Sequence, residues 1–313
     1  MRATAYPLTH PHAFAEEEAL PFLTACDGMT PFAGILNEHE VTDAVARALG
    51  EVVWLEQPPP DASSDAEARI LVLSAAPHAA WVAMGGHLLA QRGATRPLYV
   101  SCFTSVAYSD GSAVRATPFE AAMTARDEGA FCAGITGTET CFLDIPDRAS
   151  RAALAPANFE ESELPVRASV RLMLQHLITT ERPTDVFAPA ALTNDPDQRL
   201  LFEIVLEIFE DAFFAGTRFH LYEDVPAAGI QVDDFLARFE SSYLDVAPWT
   251  ADVSGHLEQK AALVDAFRST CGPMEEAALR RAAARNAMWN GDAAAAHERF
   301  WTLRLTMPDP EGL

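Results

Sequence analysis

The sequence predicts an α/β fold, a Rossmann-like, doubly wound and mostly parallel sheet with an N-terminal extension and C-terminal helices, from three observations. Short apolar runs alternate with helix-length segments between residues 69 and 222. The first run, Arg69-Ile70-Leu71-Val72-Leu73-Ser74, is apolar without alternation, as a strand buried on both faces requires. Before it, Gln57-Pro58-Pro59-Pro60-Asp61-Ala62-Ser63-Ser64-Asp65 combines ring-locked φ angles with turn formers and continues neither helix nor sheet. The chain therefore divides into residues 1–66, an extension with its linker, and residues 67–313, the α/β domain. At about 100–200 residues per domain, this length buries a substantial core.

In the extension, residues 41–49 have helical spacing, and Val52-Val53-Trp54-Leu55 is β-branched and aromatic. Beyond the first strand the spacing predicts a helix over 82–91, a strand over 98–106 and a polar turn at Ser109-Asp110-Gly111-Ser112. A helix over 118–134, a strand over 140–144 and an amphipathic helix over 166–179 follow. A strand over 185–189, a helix over 197–214 and a strand over 218–222 complete the alternation. From residue 233 onward the reading is helical, strongest over 257–267 and 274–287, and the alanines of 293–296 are read as helix propensity.

Lys and Arg number 22 against 45 Asp and Glu, a net charge of −23, which argues against phosphate backbones and anionic membranes as partners. A hydrophobic fraction of 49% with 21% charged residues is the usage of a folding chain, not of a disordered one. Cys26, Cys102, Cys132, Cys141 and Cys271 are odd in number and scattered, as buried thiols of a reducing compartment are. No stretch reaches the roughly 18 apolar residues of a membrane span, and the first residues lack a signal-peptide core, so the expected location is cytoplasmic.

From Arg69 to about Leu305 the chain resembles the PIG-L/LmbE family of zinc-dependent N-deacetylases. The resemblance rests on the Gly85-Gly86 pair opening the first helix, Phe142-Leu143-Asp144-Ile145-Pro146-Asp147, Val186-Phe187-Ala188-Pro189 and Tyr222-Glu223-Asp224-Val225-Pro226. Lys260-Ala261-Ala262-Leu263 and Ala266-Phe267-Arg268-Ser269 resemble the family's C-terminal helix. The chemistry departs from the fold. Where the family has His-Pro-Asp-Asp-Glu this chain has Ala76-Pro77-His78-Ala79-Ala80, and where it has His-Pro-Asp-His this chain has Asp195-Pro196-Asp197-Gln198. The resemblance places the family's three zinc ligands at Ala76, Ala79 and Gln198, and a catalytic zinc needs three anchoring side chains plus a water position. A displaced site would draw on His78, His87, Asp110 and Asp195.

The resemblance sets His78 at the general-base Asp of the family and Asp195 at its transition-state-stabilising His, so the two polar roles are exchanged. Facing one crevice, they could form an Asp–His pair; in a decayed cleft they would be solvated loop residues. Asp110 follows the second strand, where such sheets meet ligand, or simply nucleates its Asp-Gly turn. In Asn37-Glu38-His39-Glu40-Val41-Thr42-Asp43 the acids either cap a helix or lend the cleft a carboxylate, Asp43. Catalytic candidates are therefore Asp43, Asp110, His78 and Asp195, and substrate-binding candidates are Trp81, Arg115, Arg126 and Gln198. Asp197 is expected to start a helix beside Arg199, Tyr222-Glu223-Asp224 to shape a loop, and His220 to be a satisfied strand histidine.

This constellation is read as a metal-independent, cofactor-free enzyme of secondary metabolism acting on a small amine-containing substrate. The loss of every ligand, the long extension and the Asp43/Asp110 pair resemble the aziridine-forming branch of azinomycin-type natural-product biosynthesis. That resemblance implies cyclisation of an amine with loss of sulfate, and a small partner protein. Arg115 or Arg126 would then face the leaving group. The alternatives are a non-catalytic pseudo-deacetylase subunit stabilising a partner and a zinc deacetylase with displaced ligands. No heptad code decides between a heteromer and a homo-oligomer.

Overall fold

The computed structural model describes residues 69–105, 118–154, 159–193, 195–210, 216–224, 232–239, 244–267, 276–289, 291 and 295–305. The extension, with Asp43, and the 106–117 segment, with Asp110 and Arg115, lie outside the described residues.

Strand β1 (Arg69–Ser74) leads to helix α1 (Ala79–Ala90), β2 (Arg96–Ser105), α2 (Pro118–Thr136), β3 (Glu139–Pro146), α3 (Arg148–Leu154) and α4 (Phe159–Glu181). Then come β4 (Asp185–Pro189), α5 (Pro196–Glu210), β5 (Arg218–Tyr222), α6 (Val232–Ala237) and β6 (Leu244–Asp252). Helices α7 (Leu257–Asp265) and α8 (Glu276–Trp289) precede β7 (His297–Leu305). Among the described residues the strands form one seven-stranded sheet in the order β3-β2-β1-β4-β5-β7-β6. The first five are parallel: Leu71 of β1 stands opposite Leu98 of β2 and Val186 of β4, and β4 pairs β5 from Asp185 opposite Arg218 to Pro189 opposite Tyr222.

Consecutive β1 residues feed opposite faces, as strand geometry demands. Leu71 and Leu73 join the core with Val100, Val186, Leu201 and Leu221, whereas Ile70 and Val72 join Trp81, Tyr99, Phe187 and Phe300. Because β2 lies on one side of β1 and β4 on the other, the winding reverses between β1 and β4. In such sheets a ligand crevice opens outside the strand carboxyl ends at that point.

Helix α1 begins at Ala79, three residues before the expected start, so Gly85 and Gly86 lie inside it rather than at its opening. It kinks at Met84 (φ −128°, ψ 18°), and Glu298 accepts the amides of Gly86 (2.9 Å) and His87 (2.7 Å). Buried Lys260 bonds both the Ala83 carbonyl (3.1 Å) and Glu298 (2.6 Å), so donors and acceptor meet at the break. A Cβ on Gly86 would stand 2.9 Å from Glu298 Oε1 and from Val253 Cβ, which leaves room for glycine alone.

The all-helical expectation beyond residue 233 is corrected by β6 and β7. These strands pair antiparallel from Leu244 opposite Leu305 to Asp252 opposite His297, with α7 and α8 between them in the chain. Pairing at this separation leaves little local signature, since a ladder partner rather than propensity stabilises each strand. Trp249 stacks on Phe300 across the ladder, with centroids 4.4 Å apart. Ala296 lies at the foot of β7, its carbonyl accepting from the Val253 amide, and is not helical. Helix α3 was not expected, α4 begins seven residues before the expected 166 with Pro165 inside it, and β3 runs through Pro146. No helix among the described residues is long and apolar enough to cross a membrane.

Candidate active site

The turn after β1 carries His78. Ser74 Oγ donates to the Ala76 carbonyl (2.6 Å) and accepts the Ala80 amide (3.1 Å), and Tyr99 Oη donates to the Pro77 carbonyl (2.9 Å). These bonds fix residues 75–80 and deliver His78 to the N-cap of α1, where its side chain makes no capping bond. The ring meets Phe267 edge-on, with centroids 6.2 Å apart, and Nδ1 is buried without a partner. Burial lowers the imidazole pKa from 6.5 to about 4 against the opposing pull of the Asp195 carboxylate. At neutral pH the ring is uncharged.

Asp195 follows β4 and is exposed. Its Oδ1 accepts the Gln198 amide (2.9 Å) and its carbonyl the Arg199 amide (3.0 Å), the pattern of a helix N-cap. His78 thus follows β1 and Asp195 follows β4, the two strands between which the winding reverses. They are coupled by charge, and His78 Nδ1 makes no hydrogen bond to the carboxylate.

A third group belongs here. Asp224, beyond the end of β5, accepts the Leu192 amide (2.6 Å) and the Thr193 amide (3.4 Å) on Oδ2. Burial raises its pKa from 3.8 to about 7 against those two donors, and the charges of Asp195 and Glu223 add to the rise. The sequence reading gave this residue only a loop-shaping part. The available signal was an acidic pair, Glu223-Asp224, at the carboxyl end of a strand, where charge has no packing reason to be. The two turn apart: Glu223 accepts from Arg299 (3.0 Å), Asn286 (2.9 Å) and Arg285.

Two of the substrate-binding candidates are engaged within the protein. Trp81 is fully buried and stacked on Tyr99 (4.5 Å, 7°), because the early start of α1 turns it into the core rather than toward ligand. Arg126 is engaged by Asp144, a residue in the left-handed region (φ 57°), and lies over Phe142 (5.7 Å), so its charge is already matched. Gln198 stands on the first turn of α5 and its Oε1 accepts from Thr193 Oγ1 (3.2 Å). Asp197 pairs with Arg151 (2.9 Å) and the Arg148 amide (2.8 Å) instead of with Arg199, which bonds Glu203. His220 is satisfied as read, with one ring nitrogen on Asp185 and the other on Thr302, both at 2.9 Å. A cavity of about 10 Å³, room for one water, lies beside Lys260, Asn286, His297 and Glu298, and neither His78, Asp195 nor Asp224 lines it.

Three solved structures share this fold. A deacetylase from the teicoplanin biosynthesis pathway matches with a TM-score of 0.61 at 18% identity, over 77% of this chain and 100% of that one. N,N'-diacetylchitobiose deacetylase from Pyrococcus horikoshii matches with a TM-score of 0.55 at 18% identity, over 76% and 84%. A conserved protein from Thermus thermophilus matches with a TM-score of 0.53 at 19% identity, over 79% and 99%. No protein-family model and no curated protein matches the chain. The fold is therefore that of the PIG-L/LmbE-type deacetylases.

The zinc that this fold implies does not fit the donors present. Ala76 and Ala79 offer no ligand atom and Gln198 only a neutral amide. Among the described residues no group of three His, Cys, Asp or Glu side chains is placed to hold a metal. His87, a candidate for a displaced site, is buried against Phe187, Trp249 and Phe300.

Proposed function

We propose that this protein is a metal-independent enzyme that performs acid–base chemistry on a small amine-containing substrate in the switch-point crevice. The observation that carries this reading is the crevice's own chemistry. An exposed carboxylate, Asp195, lies within electrostatic reach of a neutral imidazole, His78, with one unfilled nitrogen, and among the described residues no group of three His, Cys, Asp or Glu accompanies them to hold a metal. A carboxylate attracts an ammonium group, and a neutral ring beside it accepts a hydrogen bond without repelling the cation.

The reaction that suits these groups is intramolecular cyclisation of a β-amino sulfate ester to an aziridine. A base removes one proton from the ammonium, and the freed nitrogen lone pair attacks the neighbouring carbon. The C–N bond forms as the C–O bond breaks and its electron pair leaves with sulfate; the ring nitrogen then releases a second proton. Holding the chain folded in the attacking geometry supplies much of the acceleration. Asp195 anchors the ammonium, His78 accepts a hydrogen bond from it, and Asp43 and Asp110 supply further carboxylates. Arg115 remains the candidate to face the sulfate, and a small protein partner or a second copy of the chain completes the assembly.

A non-catalytic subunit is the second reading, favoured by the capping bond that already occupies Asp195 Oδ1. The deciding experiment incubates the purified protein with a β-amino sulfate ester, with and without chelator, and follows sulfate release and the aziridine mass. Chelator-resistant release that Asp195→Asn abolishes supports cyclisation. Stoichiometric zinc with chelator-sensitive amide hydrolysis overturns it, and neither activity, with or without the co-purifying partner, leaves the subunit reading.

A further inference from the structure

We propose that Asp224 is the positioning residue that sets Asp195 beside His78, an inference that rests on reading the switch-point crevice as the working site. The link between β4 and α5 leaves the sheet at Pro189, and the Ala190 amide still bonds the Tyr222 carbonyl (2.9 Å). It then turns sharply. Ala191 takes the left-handed region (φ 51°), a strained choice for a residue with a Cβ. Such a turn points the next amides away from the sheet, where they need an acceptor.

Asp224 is that acceptor. One carboxylate oxygen receives both the Leu192 and Thr193 amides, and the group is 3% exposed. Arg238 holds the other side of the turn by donating to the Ala191 carbonyl (3.4 Å). From Thr193 the bonding runs on to the site: its hydroxyl donates to Gln198 Oε1, and the Gln198 amide donates to Asp195 Oδ1. A carboxyl on β5's far end therefore fixes a turn two residues before Asp195, whose charge acts on His78. The acidic neighbours of Asp224 are Asp195 and Glu223, and burial in their company works against its ionised form. A buried acid kept in so unfavourable a place is explained by what it holds.

The test uses the full chain labelled with ¹³C-histidine and needs no substrate. The chain has nine histidines, and the His78 ring resonance is identified by its loss in His78→Ala. At pH 7, Asp195→Asn moves this resonance directly. Asp224→Ala, which removes the clamp, is expected to move it similarly and to speed amide exchange at Leu192 and Thr193 about tenfold. Asp224→Asn keeps an acceptor oxygen without the charge and is expected to retain the wild-type resonance. Should Asp224→Ala not fold, Asp224→Glu keeps the charge but displaces the carboxylate by one methylene, and it too should move the His78 signal. The proposal is overturned if Asp224→Asn moves the signal as far as Asp224→Ala, or if the Ala and Glu variants both leave it in place. The sulfate-ester assay with chelator tests the cyclisation reading separately, so failure of one does not imply failure of the other.

Discussion

Two histidine–aspartate pairs among the described residues, Asp185–His220 on the sheet and Asp195–His78 beyond its strand ends, differ in how their valences are filled. Asp185 opens β4 and bonds His220 on β5 at 2.9 Å, while the second nitrogen of His220 meets Thr302. Arg218 and Thr184 also bond the same carboxylate (both 2.8 Å). Although burial pushes the Asp185 pKa up, these hydrogen bonds hold it well below the usual carboxylate range. At the other pair, His78 Nδ1 has no partner and Asp195 acts on the ring by charge alone. A filled network rigidifies, whereas an unfilled buried nitrogen is costly unless something arrives to meet it. On the proposed reading, the unfilled nitrogen of His78, which the Asp185–His220 pair lacks, is the feature a substrate would use.

The largest test of that contrast is His78→Ala. Turnover of the amine substrate is expected to fall about 10²–10⁴-fold, the range for losing a positioned acid–base group. Steady-state sulfate release measures it, and unchanged turnover would make the open pair as structural as the closed one. Asp185→Ala should do the reverse, destabilising the fold by about 1–3 kcal/mol through the unmet valence of buried His220. Urea unfolding reads that loss, with turnover per folded molecule unaltered. Because the folded Asp185 pKa lies below the ordinary 3.8, its contribution is present above that value and fades as pH falls through the folded one.

A smaller effect is a pair of opposed slopes. The depressed His78 pKa makes stability rise as pH climbs from about 4 to 6.5, since the unfolded chain binds the proton that the folded one refuses. The raised Asp224 pKa makes stability fall as pH climbs from 3.8 through about 7, since here the folded state keeps the proton longer. Each slope is at most about 1.4 kcal/mol per pH unit. Asp224→Asn should leave the rising slope exposed and His78→Ala the falling one, as measured by unfolding at stepped pH. Smallest of all is Gln198→His. It returns one ligand type while Ala76 and Ala79 stay bare, so elemental analysis should find no stoichiometric zinc and stability should change by no more than about 0.5 kcal/mol.

The parallel half of the sheet was legible because each of its strands is a short apolar run that needs no partner to be recognised. Arg69–Ser74, Asp185–Pro189 and Arg218–Tyr222 are the spans that the spacing predicts. The β6–β7 ladder was not legible, because its strands satisfy their backbones only with each other, far apart in the chain. His78 and Asp195 entered as candidates through the resemblance, which set them in the family's two motifs, and the structure puts those segments after β1 and β4. Asp224 was not legible: its task is to receive amides from a left-handed turn at Ala191, and nothing in the local sequence announces a positive φ at alanine. Of the two places open to Trp81, a ligand wall or the core, the structure gives the core, since its direction depends on where α1 begins, and Ser74 and Tyr99 decide that.

By itself the sequence determined the alternation of strands and helices and the acidic character, because composition and side-chain chemistry do not depend on what packs nearby. Only the tertiary structure decided which polar groups are filled and which are open, that Arg126 is already paired with Asp144, and that Asp224, just beyond β5, accepts amides of the link to α5. Burial and hydrogen-bond satisfaction are relations between segments distant in the chain, and they come into being only when the sheet brings those segments together.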